Sequence, residues 1–176
     1  MSESASDART IEEIDWNSWK PVDYATLLFC FENEKVLLIR KKRGLGAGKI
    51  NAPGGRLEKG EDSCSAAIRE CIEEVSIVPD SPQFVGDHRF QFRDGYSMHV
   101  FVYTSQSYTG VPSESEEAIP IWFDKRAIPY EEMWADDVHW VPLLLKQQSF
   151  RGQYIFDGDT MLDFKVDQCA SFTPSR

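Results

Sequence analysis

The sequence predicts an α/β domain, a mixed β-sheet with helices packed against it, and two observations carry that expectation. Runs rich in apolar and β-forming residues, "YATLLFCF" with "KVLLIR" and "QFVGDHRFQF" with "SMHVFVYT", are joined by short polar turns. The segment "DSCSAAIRECIEEV" instead repeats its apolar residues at the helical period.

Taken in order, residues 1–20 are polar and acidic until "IDWNSW" and are expected to form a mobile N-terminal extension. It ends near Trp16 and Trp19, which pack on the domain surface. The domain itself spans 21–168, and 169–176 form a C-terminal tail. The first two strands turn at "ENE", and "GLGAG" and "APGG" mark loops. In the helical segment Cys64, Ala67, Ile68, Cys71, Ile72 and Val75 form one apolar face, expected to point inward. Asp62 or Ser63 is placed to cap its start. "RDGY" turns the second hairpin. A second helix lies within "DDVHWVPLLLKQQ", where Pro142 either starts the helix or kinks it. The final hairpin, in "QYIFDGDTMLDFKV", turns at Asp157-Gly158.

A chain of 176 residues is sized for one domain, and 41% hydrophobic with 27% charged residues is the balance of a soluble globular protein. The net charge of −10 argues against general binding to nucleic acid or to an anionic membrane. A polyanionic substrate would then need local basic groups or a bridging metal. The start lacks an apolar leader core and no 18-residue apolar run occurs, so a cytoplasmic protein is expected. Cys30, Cys64, Cys71 and Cys169 form no C-x-x-C pair and read as reduced thiols.

One stretch asks for an explanation. In "RECIEE", Glu70, Glu73 and Glu74 crowd at i, i+3 and i+4 spacing, on the flank opposite the expected inward face. Like charges so placed cost a helix roughly 0.2–0.5 kcal/mol per pair. A hard divalent cation, which takes carboxylate and phosphate oxygens, would turn that repulsion into attraction. A solvated acidic face is the other reading, and the cluster by itself leaves both open.

Residues 55–77, "GRLEKGEDSCSAAIRECIEEVSI", resemble the Nudix box, G-x5-E-x7-R-E-U-x-E-E-x-G-U with U a bulky apolar residue. Gly55, Glu61, Arg69, Glu70, Glu73, Glu74 and Ile77 match at the required spacing. Cys71 stands where a larger apolar residue is usual, and Ser76 replaces the last glycine. The resemblance implies a Nudix α/β/α sandwich with a mixed sheet and a loop-helix-loop site for Mg²⁺ or Mn²⁺. It implies that Glu70, Glu73 and Glu74 ligate the metal, with Glu73 or Glu74 also near the attacking water. Glu61 and Arg69 support them, and the Gly55 carbonyl is a further ligand.

Outside the box, "KKRGLGAGKINAPGG", "ESEE", "MWADDVHWVPLLL" and "FDGDTMLDF" are similar to the MutT-homologue subfamily that hydrolyses oxidised purine nucleoside triphosphates such as 8-oxo-dGTP and 2-oxo-dATP. The similarity runs over roughly residues 24–166. It implies base contacts from Asn51, Trp134, Asp136 and Asp137, a pocket lined by Phe90 and Phe92 with Thr26 nearby, Lys41 approaching the substrate, and Glu117 joining the metal site. Leu45 and Tyr96 stand where the subfamily has phenylalanine and methionine. Each residue has a plainer reading: Asp136-Asp137 as a helix cap, Trp134 as core, Asn51 as a turn stabiliser, and "RKKR" as a solvated charge run. His88, His99 and His139 are scattered and read as structural.

The expectation is therefore a metal-dependent diphosphatase that releases a nucleoside monophosphate and pyrophosphate and sanitises the nucleotide pool. Its partner is a small nucleotide, with no stable nucleic-acid complex, no membrane, and a monomer favoured. The alternatives are a Nudix hydrolase for another diphosphate (a nucleotide sugar, a dinucleotide or an RNA 5′ end) and a non-catalytic nucleotide sensor.

Overall fold

Apolar runs too continuous for a one-sided sheet make strands buried on both faces, and the computed structural model, which describes residues 5–170, contains two of them. These are β1 (Asp23–Glu32) and β2 (Lys35–Lys41), in which Leu28, Phe29, Cys30, Val36, Leu37, Leu38 and Ile39 are all buried. They are preceded by short 3-10 turns at Ala5–Asp7 and Ile11–Glu13. After them come β3 (Ile50–Asn51), β4 (Gly54–Arg56) and helix α1 (Ser63–Val75). Then follow β5 (Ile77–Pro79), β6 (Gln83–Phe92), β7 (Ser97–Ser105), β8 (Tyr108–Gly110) and β9 (Ala118–Asp124). A 3-10 turn at Tyr130–Glu132 leads to helix α2 (Asp137–Leu145), and β10 (Ser149–Asp157) and β11 (Thr160–Cys169) end the fold.

The chain divides into two compact units. A central unit comprises Ala25–Phe84 and Val102–Trp134, and a terminal unit Met1–Tyr24, Val85–Phe101 and Ala135–Arg176. In the central unit β2 pairs antiparallel with β1, β3 and β9, and β4 pairs with β1 through Thr26↔Gly55. A separate two-stranded sheet joins β5 and β8. Two of these strands were hidden in the sequence. "APGG" reads as loop yet runs into β4, and Pro120 masks β9, where it sits opposite Ile39.

In the terminal unit β10 pairs antiparallel with β11 and parallel with β6, in register Phe150↔Gly86 to Phe156↔Phe92, so the sheet is mixed as expected. The β6–β7 and β10–β11 turns fall where the sequence places them: Phe92 N–H donates to the Tyr96 carbonyl at 2.9 Å, and Asp157 lies opposite Thr160. Pro142 sits inside α2 and does not start it; Trp140, Val141 and Leu144 form its buried face.

Residues 5–20 depart from the expectation of a mobile extension. Ala8, Ile11 and Ile14 are buried in a cluster with Ile155, and Ile11 N–H donates to Asp163 Oδ2 at 2.7 Å. Trp16 and Trp19 pack at its margin, with the Trp19 indole donating to Gln91 Oε1. The three apolar residues are spaced by three, which polar composition concealed. The first four residues, and the tail from 171 onward, lie outside the described residues.

The described cysteines are free thiols, with Cys30 and Cys71 buried and Cys64 and Cys169 partly so. Burial pushes the Cys30 thiol up to about 12, and Cys71 moves the same way, so neither is a thiolate at neutral pH. No helix among the described residues is long and apolar enough to cross a membrane.

Candidate active site

Helix α1 begins where Asp62 accepts from the Ser65 N–H at 2.9 Å and ends where Ser76 adopts φ 62°, ψ 28°. That left-handed conformation is the one a glycine supplies without steric cost. The box glycine that Ser76 replaces is thus a backbone requirement, and the serine meets it under strain.

The helix is turned otherwise than its apolar pattern suggests. Ala66, Ala67, Glu70, Cys71, Glu74 and Val75 are buried, while Ile72 is 45% exposed. Positions 67, 70, 71, 74 and 75 form one continuous stripe at i, i+3, i+4, i+7 and i+8, and two of its five members are carboxylates. The expectation that all three glutamates lie opposite the inward face is therefore corrected. Glu70 and Glu74 point in, Ile72 points out, and of the three glutamates only Glu73 is exposed.

Arg69 organises this set. Its Nε and Nη2 donate to the two oxygens of Glu61 at 2.8 and 2.9 Å, a bidentate pair. Nη1 reaches Glu70 Oε1 at 2.9 Å and Glu73 Oε2 at 3.1 Å, and Nη2 also meets the Arg56 carbonyl. The guanidinium holds the Glu61 carboxyl below its ordinary range. Burial pushes Glu70 up, against the pull of Arg69. Glu74, deeper and accepting from the Gly54 N–H at 3.1 Å, is pushed up to about 7 by burial, with the charges of Glu70 and Glu117 adding to the rise and Lys41 opposing it. Glu117, in the loop before β9, is therefore within electrostatic reach of both glutamates, and its carboxylate pairs with Arg43.

Gly55 completes the arrangement. A Cβ there would lie 2.4 Å from the Glu70 carboxyl carbon, so only glycine lets the β4 backbone come this close to that carboxylate. Among the described residues no three acidic, histidine or cysteine side chains already converge on one ion position. The donor set still fits a hard divalent cation. It offers only oxygens, and its innermost carboxylate carries a rise that a cation would reverse.

The remaining expected site residues fall into the two units. In the central unit Thr26 is 1% exposed with its hydroxyl lacking a hydrogen-bond partner, Asn51 Oδ1 accepts from the Ala52 N–H at 2.8 Å, and Leu45 is 45% exposed. Trp134 is half-buried beneath the Lys49 ammonium. In the terminal unit Asp136 and Asp137 are 2% and 3% exposed. Asp136 does not cap α2 with its side chain; Oδ2 accepts from Trp140 Nε1 at 2.8 Å. Burial lifts its carboxyl to about 6. Phe90 stacks on Tyr154 with ring centroids 4.7 Å apart, and Phe92 packs against Phe156. The Tyr96 hydroxyl donates to Asp23 Oδ2 at 2.9 Å.

His88, Tyr154 and Trp140 were not foreseen as neighbours of the acidic pair. His88 is fully buried, its imidazole driven to about 3 by burial, and its Nδ1 lies 3.1 Å from the Tyr154 hydroxyl. Both aspartates add to the rise in the Tyr154 phenol, which places them close to it. Strand alternation puts His88 and Phe90 on one face but cannot tell which helix covers it.

A model of the NUDIX domain matches residues 21–144. The chain is 40% identical over 145 residues to an oxidized purine nucleoside triphosphate hydrolase of Danio rerio, covering 81% of this chain and 93% of that protein. It is 38% identical over 149 residues to the protein of the same description in Mus musculus, covering 84% and 96%. Among solved structures, a MutT protein of Bacillus halodurans superposes with a TM-score of 0.75 at 24% identity, covering 83% of this chain and 98% of that one, a likeness of fold.

Proposed function

This chain belongs to the Nudix family, and from that premise we propose that it hydrolyses oxidised purine nucleoside triphosphates to the monophosphate and pyrophosphate. The observation that carries the reading is the buried pair Glu70 and Glu74, beside Glu117 and steadied by Arg69. Burying carboxylates costs several kcal/mol unless a partner repays it, and a nucleotide-bound cation is such a partner. The two animal relatives are described as acting on oxidised purine triphosphates.

Glu70, Glu73, Glu74, Glu117 and the Gly55 carbonyl would hold Mg²⁺ or Mn²⁺. Such an ion neutralises phosphate charge and acidifies water for in-line attack. The chain's own residues prepare for it. Arg69 fixes the rotamers of Glu70 and Glu73 while keeping Glu61 ionised. Gly54 and Gly55 bring backbone against Glu74 and Glu70. Glu73, which is exposed, or Glu74 would lie near the attacking water. Lys41, whose charge is felt at Glu74, supplies positive potential for a phosphate.

For the base, Trp134 offers a stacking surface, Asn51 an amide, and Thr26 an unused hydroxyl. Asp136, lifted to about 6, holds a proton more readily than an ordinary carboxyl, so with Asp137 it presents a donor and an acceptor to a purine edge. By the same reading Leu45 in the central unit, and Phe90, Phe92 and Tyr96 in the terminal unit, supply apolar surface.

The test is pyrophosphate release over a panel of oxidised and unmodified nucleoside triphosphates, with and without Mg²⁺. Preferential turnover of oxidised purines in Mg²⁺ is expected; equal turnover of 8-oxo-dGTP and dGTP, or none of either, excludes the proposal.

A further inference from the structure

Trp134 stands on a short irregular segment between the 3-10 turn at Tyr130–Glu132 and α2, and its ring is only half-buried. Left to itself such an indole would sample several rotamers, and ordering it would cost a ligand affinity. Four contacts in the central unit remove that freedom. Gly46 lies against the indole edge so closely that a Cβ would stand 2.8 Å from Trp134 Nε1. Lys49 Nζ sits 5.0 Å from the ring centroid, in cation–π range. Arg40 Nη1 donates to the Gly48 carbonyl at 3.0 Å, and Nη2 of the same guanidinium pairs with Glu132 Oε1 at 2.8 Å. One side chain thus ties the glycine loop to the turn two residues before Trp134.

The loop needs such a tie. Gly44, Gly46 and Gly48 all have positive φ, at 78°, 78° and 88°, a conformation bought with chain entropy. Its backbone closes through Gly48 N–H to the Lys41 carbonyl at 2.7 Å and Lys41 N–H to the Lys49 carbonyl at 3.0 Å. Those bonds fix the loop on β2, but not against the segment that carries the indole. The Arg40 fork, being planar and two-ended, makes that second connection.

We propose that Arg40 and Lys49 are positioning residues for Trp134, clasping the glycine loop to the Glu132 turn so that the indole is a preset platform for a purine base. The inference rests on the reading of Trp134 as the base-stacking residue. A preset platform acts on binding of substrate and transition state alike, so its loss raises KM and leaves kcat nearly unchanged.

The experiment is steady-state kinetics of the full chain with 8-oxo-dGTP in Mg²⁺, alongside thermal melting. Arg40→Met and Lys49→Met should each raise KM about five- to tenfold with kcat within about twofold. Lys49→Arg should keep KM within about twofold of the unmodified chain, whereas the charge-swapped Arg40→Glu/Glu132→Arg pair, which restores the ion pair but leaves the Gly48 carbonyl without its donor, should keep KM raised. The Arg40 and Glu132 side chains are 37% and 45% exposed, so these variants fold and melt close to the parent. Trp134→Ala is the reference. If it raises KM tenfold or more while Arg40→Met and Lys49→Met do not, the clasp is overturned and the platform stands. If it leaves KM unchanged, the stacking role falls and the clasp with it. A fall in kcat without a rise in KM in the two methionine variants also overturns the proposal.

Discussion

Two sets of carboxylates are buried in this molecule, and what stands beside them differs. In the central unit Glu70 and Glu74 are 9% and 2% exposed, with the Arg69 guanidinium 2.9 Å from Glu70 and the Lys41 charge felt at Glu74. In the terminal unit Asp136 and Asp137 are as deeply buried, yet Asp136 is met by a neutral donor, the Trp140 indole. Burial raises the carboxyl pKa in both places, Glu74 to about 7 and Asp136 to about 6. The first set keeps cationic side chains beside it, and burial still lifts Glu74 at least as far as Asp136. In the second, Asp136 meets a neutral hydrogen bond. Burial acts alike on both, and the neighbours set what distinguishes them.

The largest test of that contrast is Glu74→Gln. The amide keeps the shape and can still accept from the Gly54 N–H, but it loses the charge a metal needs. Hydrolysis in Mg²⁺ should fall by about a hundredfold or more while the melting temperature does not drop. Retained activity in initial-rate assays would remove Glu74 from the proposed metal ligands.

Arg69→Met should come next, acting on stability. Glu61, Glu70 and Glu73 lose a shared counter-ion, two of them in partly or largely buried positions. Urea unfolding at neutral pH should show a loss of about 2 kcal/mol. An unchanged midpoint would mean that solvent, and not the guanidinium, carries these charges.

Asp136→Asn sharpens the other half of the comparison through pH. The folded carboxyl titrates above its ordinary value of 3.8, so between that value and about 6 the folded state binds the proton more tightly than the unfolded one. The stability this provides is full at low pH and lost as pH rises through about 6. The difference in melting temperature, parent minus variant, should decline over this window and be flat above it. A flat difference throughout would give Asp136 an ordinary pKa.

The smallest expected effect separates the two helices by their ends. α1 stops at Ser76 and α2 is followed by Gln147, both in the left-handed region at φ 62° and 58°. Ser76→Gly should relieve strain and stabilise the fold by about 0.5–1 kcal/mol, read as a small rise in the urea midpoint. No gain, or a loss, would mean that the serine side chain offsets its backbone cost.

Much of this was legible before any coordinates. The hairpin turns at Asn33, Gly95 and Gly158 and the limits of α1 follow from local chemistry: polar turn residues, a capping aspartate and apolar periodicity. The spacing of Glu61, Arg69, Glu70, Glu73 and Glu74 is a local pattern too, and the metal reading rests on that pattern's resemblance to the Nudix box. The packing of Ala8, Ile11 and Ile14 was not legible, because three apolar residues in an acidic segment become a buried face only against Ile155, 141 positions beyond Ile14.

What the sequence by itself determined is the order of elements and the set of residues that can carry the chemistry, since both depend on near neighbours in the chain. Tertiary structure alone decided which way α1 is turned. Its apolar residues cover a broad arc, and period 3.6 allows either the Ile68–Ile72 stripe or the Ala67–Cys71 stripe to face in. The glycine backbone of β4 admits Glu70, and the Gly54 N–H receives Glu74. Those long-range contacts bury two carboxylates and leave Ile72 in solvent, an outcome that hydrophobicity would rank second and that only the geometry of the packed site selects.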